Sequence, residues 1–235
     1  MKKLLLYNRL SKANYKKMEV LKQKSFSDCT LDFLDTHFGL RQVENLDSLN
    51  QWLSSSANEE IPELKVRFLE ELQALLQYNV RSWNEQELDM HFIGPVFSIV
   101  NFSSEKFNLF AQRPIEAIVE EWRLFGTPDG MVASGRRAPK LPFFAFSEYK
   151  RQKNPKGEPE AQTLAAMMVG QHLNSNSNLP VYGCYVIGND WYFMTLEEKK
   201  YAFSRDFSAI TDDLFSIFRI LNYLKQIISQ RLSKD

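Results

Sequence analysis

A mixed α/β domain is the fold class this sequence predicts, and three observations carry it. Segments with helical spacing of apolar residues fill the chain up to about residue 100. Apolar runs of strand length, punctuated by turn signals, follow from about residue 107. A helical pattern, "EPEAQTLAAMMVGQHL", then separates those runs from two more, as a crossover helix would.

"NYKKMEVLKQK" predicts a short charged helix, and "SDCTLDFLDTHFG" a second one with plausible caps at its start and a stop at Gly39. "NLDSLNQWLSSS" predicts a third. "PELKVRFLEELQALLQYNV" predicts a fourth, with Pro62 near its start and Leu64, Phe68, Leu72, Leu75 and Leu76 as its buried stripe. In "RSWNEQELDMHFIGPVFSIV", Asn84 suits an N-cap, Leu88 and Phe92 share a face, and Gly94-Pro95 should end the helix. "FNLFAQR", "IEAIVEEWRLFG", "DGMVAS" and "PFFAFSEYK" predict strands, and "VYGCYVIG" with "WYFMTL" a hairpin around Gly188-Asn189-Asp190. The stretch "FSAITDDLFSIFRILNYLKQIISQRL" predicts a long amphipathic helix.

Composition bounds the function classes. A chain of 235 residues with 44% hydrophobic and 25% charged residues can bury a full core, in one domain or one domain with an appended subdomain. Its formal charge of zero neither supports nor excludes a nucleic-acid partner. Cys29 and Cys184 are far apart and in no C-x-x-C pair, which argues against a disulfide framework or a zinc cluster. "MKKLLLYNRL" has too short an apolar stretch for a signal peptide, and no run reaches the ~18 apolar residues of a membrane span. A cytoplasmic protein with no membrane partner is expected. No Gly-rich phosphate loop occurs, and His37, His91 and His172 show no ligand spacing.

The stretch "LPFFAFSEYKRQKN" is the most informative. Strand alternation sets Phe144, Phe146, Glu148 and Lys150 on one face, and Phe143, Ala145, Ser147 and Tyr149 on the other. Glu148 and Lys150 then project side by side where the apolar run ends. Pro128-Asp129 stands upstream on what reads as the adjoining strand. A carboxylate from one strand, with a carboxylate and an ammonium from its neighbour, can converge at a hard-cation site of the kind Mg²⁺ takes. Around it, Arg136, Arg137, Lys140, Lys150, Arg151, Lys153 and Lys156 stand against Glu148 alone, a cluster suited to phosphate contacts.

Pro128-Asp129 followed by Glu148-Tyr149-Lys150 resembles the PD-(D/E)-x-K signature of the restriction-endonuclease-like nucleases. An upstream helix bearing an acid, with Glu85 preferred and Glu87 as substitute, and a glutamine opening the next helix, Gln162, extend the resemblance. Its flavour is closest to the nuclease domains of type I restriction subunits and their stand-alone relatives, and it covers roughly residues 80–190. The resemblance implies a restriction-endonuclease-like core, a central mixed sheet flanked by helices, over residues 79–235; residues 1–78 lie outside it and read, from their helical spacing, as an N-terminal helical subdomain. It implies Mg²⁺, with Mn²⁺ as substitute, held by Asp129, Glu148 and the backbone carbonyl of Tyr149, with Lys150 orienting water or stabilising charge. Glu85 and Gln162 would support the site, and Arg136, Arg137, Lys140, Arg151, Lys153 and Lys156 would hold nucleic acid, with DNA the expected substrate. Assembly into a homo-oligomer is left open.

Plainer readings stand beside these. Pro-Asp-Gly at 128–130 is good turn chemistry, Gln162 an ordinary first-turn residue, Glu85 a favourable acid near a helix N-terminus, and the basic stretch two solvated loops. The alternative function is a non-catalytic nucleic-acid-binding or protein-interaction module with the same fold.

Overall fold

The computed structural model describes residues 22–174 and 179–233. In chain order it has β1 (Lys22–Ser25), α1 (Leu31–Phe38), β2 (Arg41–Gln42), α2 (Asp47–Ser56) and α3 (Glu63–Asn79). Then come α4 (Glu85–Leu88), a π turn (Asp89–Ile93) and α5 (Gly94–Val100). Strands β3 (Phe107–Ala111), β4 (Ile115–Val119), β5 (Trp122–Gly126), β6 (Gly130–Ser134) and β7 (Lys140–Lys150) follow. The chain closes with α6 (Pro159–Leu173), β8 (Val181–Ile187), β9 (Asp190–Glu197), β10 (Lys200–Ser208) and α7 (Asp213–Arg231).

Seven strands form a mixed sheet in the order β2-β10-β9-β8-β7-β6-β3, and β1-β5-β4 form a smaller one. In the large sheet β7 runs parallel to β8 and β2 parallel to β10, and the other pairs are antiparallel. The expected mixed α/β class is therefore the observed one. The crossover from β7 to β8 is α6, where every residue from Ala161 to Gln171 is buried. A helix is apolar all round only when covered on both sides; here the large sheet covers one side, and α1, β4 and β5 pack on the other. The opposite face of the large sheet carries α2, α3, α5 and α7, so two cores sandwich it.

Local chemistry explains the boundaries. Thr30 Oγ1 accepts from the Phe33 N–H at 3.1 Å to open α1, and Gly39 closes it at φ +65°. Asn84 and Glu87 exchange side-chain and backbone hydrogen bonds in a capping box that opens α4. The helix expected to stop at Gly94-Pro95 runs on to Val100. The Gly94 N–H reaches back to Asp89 O, widening the coil by one residue just ahead of Pro95. A proline ring clashes with the carbonyl four residues back in a tight helix, and a π turn relieves this.

Other expectations are corrected. On α3 the buried residues are Leu69, Leu72 and Leu76, whereas Leu64 is 80% exposed and Phe68 46%. The helix has apolar residues on two sides. Gln73 Nε2 donates to Ala209 O and Thr211 O, and Gln77 Nε2 to Ile210 O, which selects the side that faces inward. Residues 115–126, expected as one strand, are the hairpin β4–β5, turned at Glu120 with φ +55°. Strand β10 was not expected at all; its alternation is broken by a bulge between Phe203 and Asp206. It takes residues 207 and 208 from the start of the expected last helix.

The helix expected over residues 14–24 lies outside the described residues up to 21, as does "MKKLLLYNRL". Lys22, Gln23 and Lys24 form β1 instead, where pairing with Trp122, Arg123 and Leu124 of β5 decides the conformation. Residues 22–78, expected as a helical subdomain, also supply two strands, one to each sheet. They enter both cores: Phe26, Leu34 and Phe38 pack with α6, and Trp52, Leu69 and Leu76 with α7. Trp52 Nε1 donates to Ile220 O of α7 at 2.8 Å. No helix among the described residues is long and apolar enough to cross a membrane.

Candidate functional site

Two neighbouring strands bring Asp129, Glu148 and Lys150 to one end of the sheet. Gly130 pairs with Ser147 in the antiparallel β6–β7 register, so Asp129, one residue outside β6, falls opposite Glu148. The Asp129 carbonyl accepts from the Gln112 N–H at 3.0 Å, and its Oδ2 accepts from the Tyr149 N–H at 2.8 Å. Lys150 Nζ donates to Glu148 Oε1 at 2.7 Å, which confirms that these two side chains share a face. Each carboxylate keeps one oxygen, Asp129 Oδ1 and Glu148 Oε2, without a hydrogen-bond donor among the described residues.

The expected faces are exchanged at two residues, Phe143 and Phe144. Between Val132 and Ala133 the partner in β7 jumps from Ala145 to Phe143, leaving Phe144 as the extra residue of a bulge. Phe144 therefore packs in the same core as Ala145 and Tyr149, while Phe143 lies with Phe146 in the core on the α6 side, not with Ala145 and Tyr149 as expected.

The turn reading of Pro128-Asp129-Gly130 does not describe Gly130, which is a buried residue of β6. A Cβ at this position would lie 2.4 Å from Ser147 Oγ and 3.1 Å from the Tyr149 hydroxyl. Those two oxygens are themselves hydrogen-bonded at 2.9 Å. Glycine is required by close approach of the neighbouring strand, and that approach sets Asp129 against Tyr149.

Burial and mutual repulsion shape the charges. Glu148 is held at about 7, up from 4.5, first by burial and next by Asp129, with Lys150 opposing. Asp129 is also raised, by burial first, against the Tyr149 N–H and Lys150. Burial pushes the Lys150 ammonium down, but Glu148, Glu85 and Asp129 together outweigh it and hold the group above its usual value. Lys150 is thereby kept cationic, able to donate hydrogen bonds and unable to accept a proton.

A cavity of about 490 Å³ opens beside these residues, lined by Glu85, Gln86, Asp89, Gln112, Asp129 and Tyr149, together with Ala111. Glu148 and Lys150 do not line it, and each is 9% exposed. Of the two candidate helix acids, Glu85 borders the cavity, and its charge acts on Asp129, Glu148 and Lys150. Glu87 is committed to the capping box, its Oε2 accepting from the Asn84 N–H at 2.8 Å. Asp89 was missed, although it stands four residues after Glu85, the spacing that stacks side chains on one helix face. It opens the π turn, its carboxyl is raised by burial, and its charge raises Asp129.

Gln162 is buried in the first turn of α6. A Cβ on Gly157 would stand 2.5 Å from its Nε2, and it makes no hydrogen bond to Glu148 or Lys150. The basic stretch is divided. Arg151 and Lys156 border a second cavity of about 340 Å³ with Asn84, Glu85 and Gln86, and exposed Lys153 lies between them in sequence. Arg136 and Arg137 precede β7, and Lys140 opens it. At about 3.3 Å per residue, Lys140 stands roughly 30 Å from Lys150, so this trio does not flank the site as expected. A strand this long carries its two ends to opposite edges of the molecule.

Carboxylate oxygens are hard donors, which suit Mg²⁺ or Mn²⁺. Among the described residues no group of three or more Asp, Glu, His or Cys side chains is placed to hold a metal ion. Two carboxylates and water are a donor set of the kind that Mg²⁺ takes, and the residues present fit it. Compared with known proteins, the chain matches no family model and no curated protein.

Proposed function

We propose that this protein is a metal-dependent nuclease that hydrolyses phosphodiester bonds, with DNA as substrate. One observation carries the reading: Asp129 and Glu148, opposite each other on adjoining strands, each keep an oxygen free of donors while Lys150 is held cationic beside them. Asp129 Oδ1, Glu148 Oε2 and the Tyr149 carbonyl would hold the cation. When bound, Mg²⁺ supplies Lewis-acid polarisation of the scissile phosphate and a lowered pKa for an attacking water.

The chain's own residues do the rest. Lys150 cannot serve as the base, because its neighbours keep it protonated; it orients water or stabilises charge that develops on the phosphate oxygens. Glu148 must lose the proton that burial favours before it can act as a ligand. Glu85 and Asp89 face the same cavity and bias it toward cations and metal-bound water. The Tyr149 N–H fixes Asp129, so the site is oriented by the strand that also carries Glu148 and Lys150.

Cleavage of supercoiled and linear DNA should be followed with Mg²⁺, Mn²⁺ and Ca²⁺. Mg²⁺ or Mn²⁺ should support cleavage and Ca²⁺ should bind without doing so. Cleavage that persists in EDTA, or that Lys150→Ala leaves intact, refutes the reading.

A further inference from the structure

The cavity bordered by Arg151 and Lys156 abuts the acidic cavity at Glu85 and Gln86, which line both. Strand alternation accounts for the arrangement. Arg151 follows Lys150 directly, so it leaves the strand toward the Tyr149 face, the side on which α4 packs. Arg151 is half-buried, and neither it nor Lys156 has an ion-pair partner among the described residues. The polar groups facing them are the side chains of Asn84, Glu85 and Gln86. Asn84 Oδ1 already accepts from the Glu87 N–H, which leaves its amide nitrogen as a donor. Glu85 is the one anion there, and Lys150 draws on its charge.

We propose that this basic cavity is a second phosphate subsite, which holds the phosphate next to the scissile one along the same strand. The proposal rests on the nuclease reading and names what that reading leaves open: the substrate is gripped at two successive phosphates, one on each side of Glu85. Two unpaired cations and two amides beside an acidic cavity match a singly or doubly charged phosphate better than a base or a sugar. Arg151 supplies a planar fork for phosphate oxygens and Lys156 a mobile point charge.

The test uses dinucleotides with one internal phosphodiester: one without terminal phosphate, one with a 5′ phosphate and one with a 3′ phosphate. Binding to the full chain is measured by NMR titration in Ca²⁺, with inorganic phosphate as a separate ligand. One of the two phosphorylated dinucleotides should bind about tenfold or more tighter than the unphosphorylated one, the range expected for charge-assisted hydrogen bonds. Arg151→Gln with Lys156→Gln should erase that advantage. Inorganic phosphate should shift the same resonances at higher concentration. Equal affinity of the three dinucleotides for the parent, or an advantage that survives in the double variant, overturns the subsite. If the advantage is present and erased as stated but no DNA is ever cleaved, the subsite stands and the nuclease reading falls.

Discussion

The Tyr149 backbone N–H donates to the Asp129 side chain at 2.8 Å, so a carboxylate completes the hydrogen bonding between β6 and β7 where the strand pairing ends. Asp129 Oδ2 is thus committed to the neighbouring strand, and Oδ1 is the oxygen left for the proposed cation. Asparagine can still accept the N–H, whereas alanine leaves it buried and unpaired. Asp129→Ala should cost about 1–3 kcal/mol of stability relative to Asp129→Asn, read by denaturant unfolding. Equal stability of the two variants would mean that the hydrogen bond positions nothing.

Glu85 and Glu87 stand two residues apart and face different tasks. Glu87→Ala removes half of the capping box and should lower stability by about 0.5–2 kcal/mol, with divalent-cation affinity unchanged. Glu85→Ala should leave stability near the parent and weaken cation binding. Thermal unfolding with and without Mn²⁺ separates the two, and the reverse pattern would reassign the helix acid.

Glu148 gives the protein a pH dependence whose sign is fixed. Its folded-state pKa lies above the ordinary value, so its protonated form favours folding below about 4.5, and that contribution is lost as pH rises through about 7. A cation competes with the same proton. The gain in Tm from saturating Mg²⁺ should grow between pH 6 and pH 8, with proton release on binding in that window. A gain that is flat or falls with pH would remove Glu148 from the ligand set.

The division of the basic stretch predicts different salt behaviour for its two ends. A duplex of eight base pairs is about 27 Å long, too short to span from the site to Lys140. Changing Arg151, Lys153 and Lys156 to Gln should lower the salt slope of its binding by about one unit per lost phosphate contact. The same change at Arg136, Arg137 and Lys140 should leave both slope and affinity as in the parent. A loss at the second trio would place the nucleic-acid path along the length of β7.

How much of this was readable beforehand depends on range. Local chemistry announced itself: the Gly39 stop of α1, the Asn84 cap, and the apolar run of β7 with Glu148 and Lys150 at its end. What the sequence could not carry was set by partners far along the chain. The inward side of α3 is chosen by Gln73 and Gln77 reaching residues 209–211, and β1 exists because β5 pairs with it. The bulge at Phe144 and the π turn before Pro95 break the periods on which face assignments depend. At the site, Asp129, Glu148 and Lys150 came together as the spacing suggested. Asp89 went unseen because Glu85 and Glu87 already filled the expected place for a helix acid. Arg136, Arg137 and Lys140 were misplaced because nearness in sequence along an extended strand is distance in space.

The central claim is that Asp129 and Glu148 hold a divalent cation between them, and calorimetric titration of Mn²⁺ into the metal-free protein tests it most directly. The account predicts saturable binding at pH 8 that Asp129→Asn and Glu148→Gln each abolish or weaken at least tenfold while both variants stay folded, and that Glu87→Gln does not change. Absence of saturable binding in the parent, or parent-like affinity in both carboxylate variants, would contradict it.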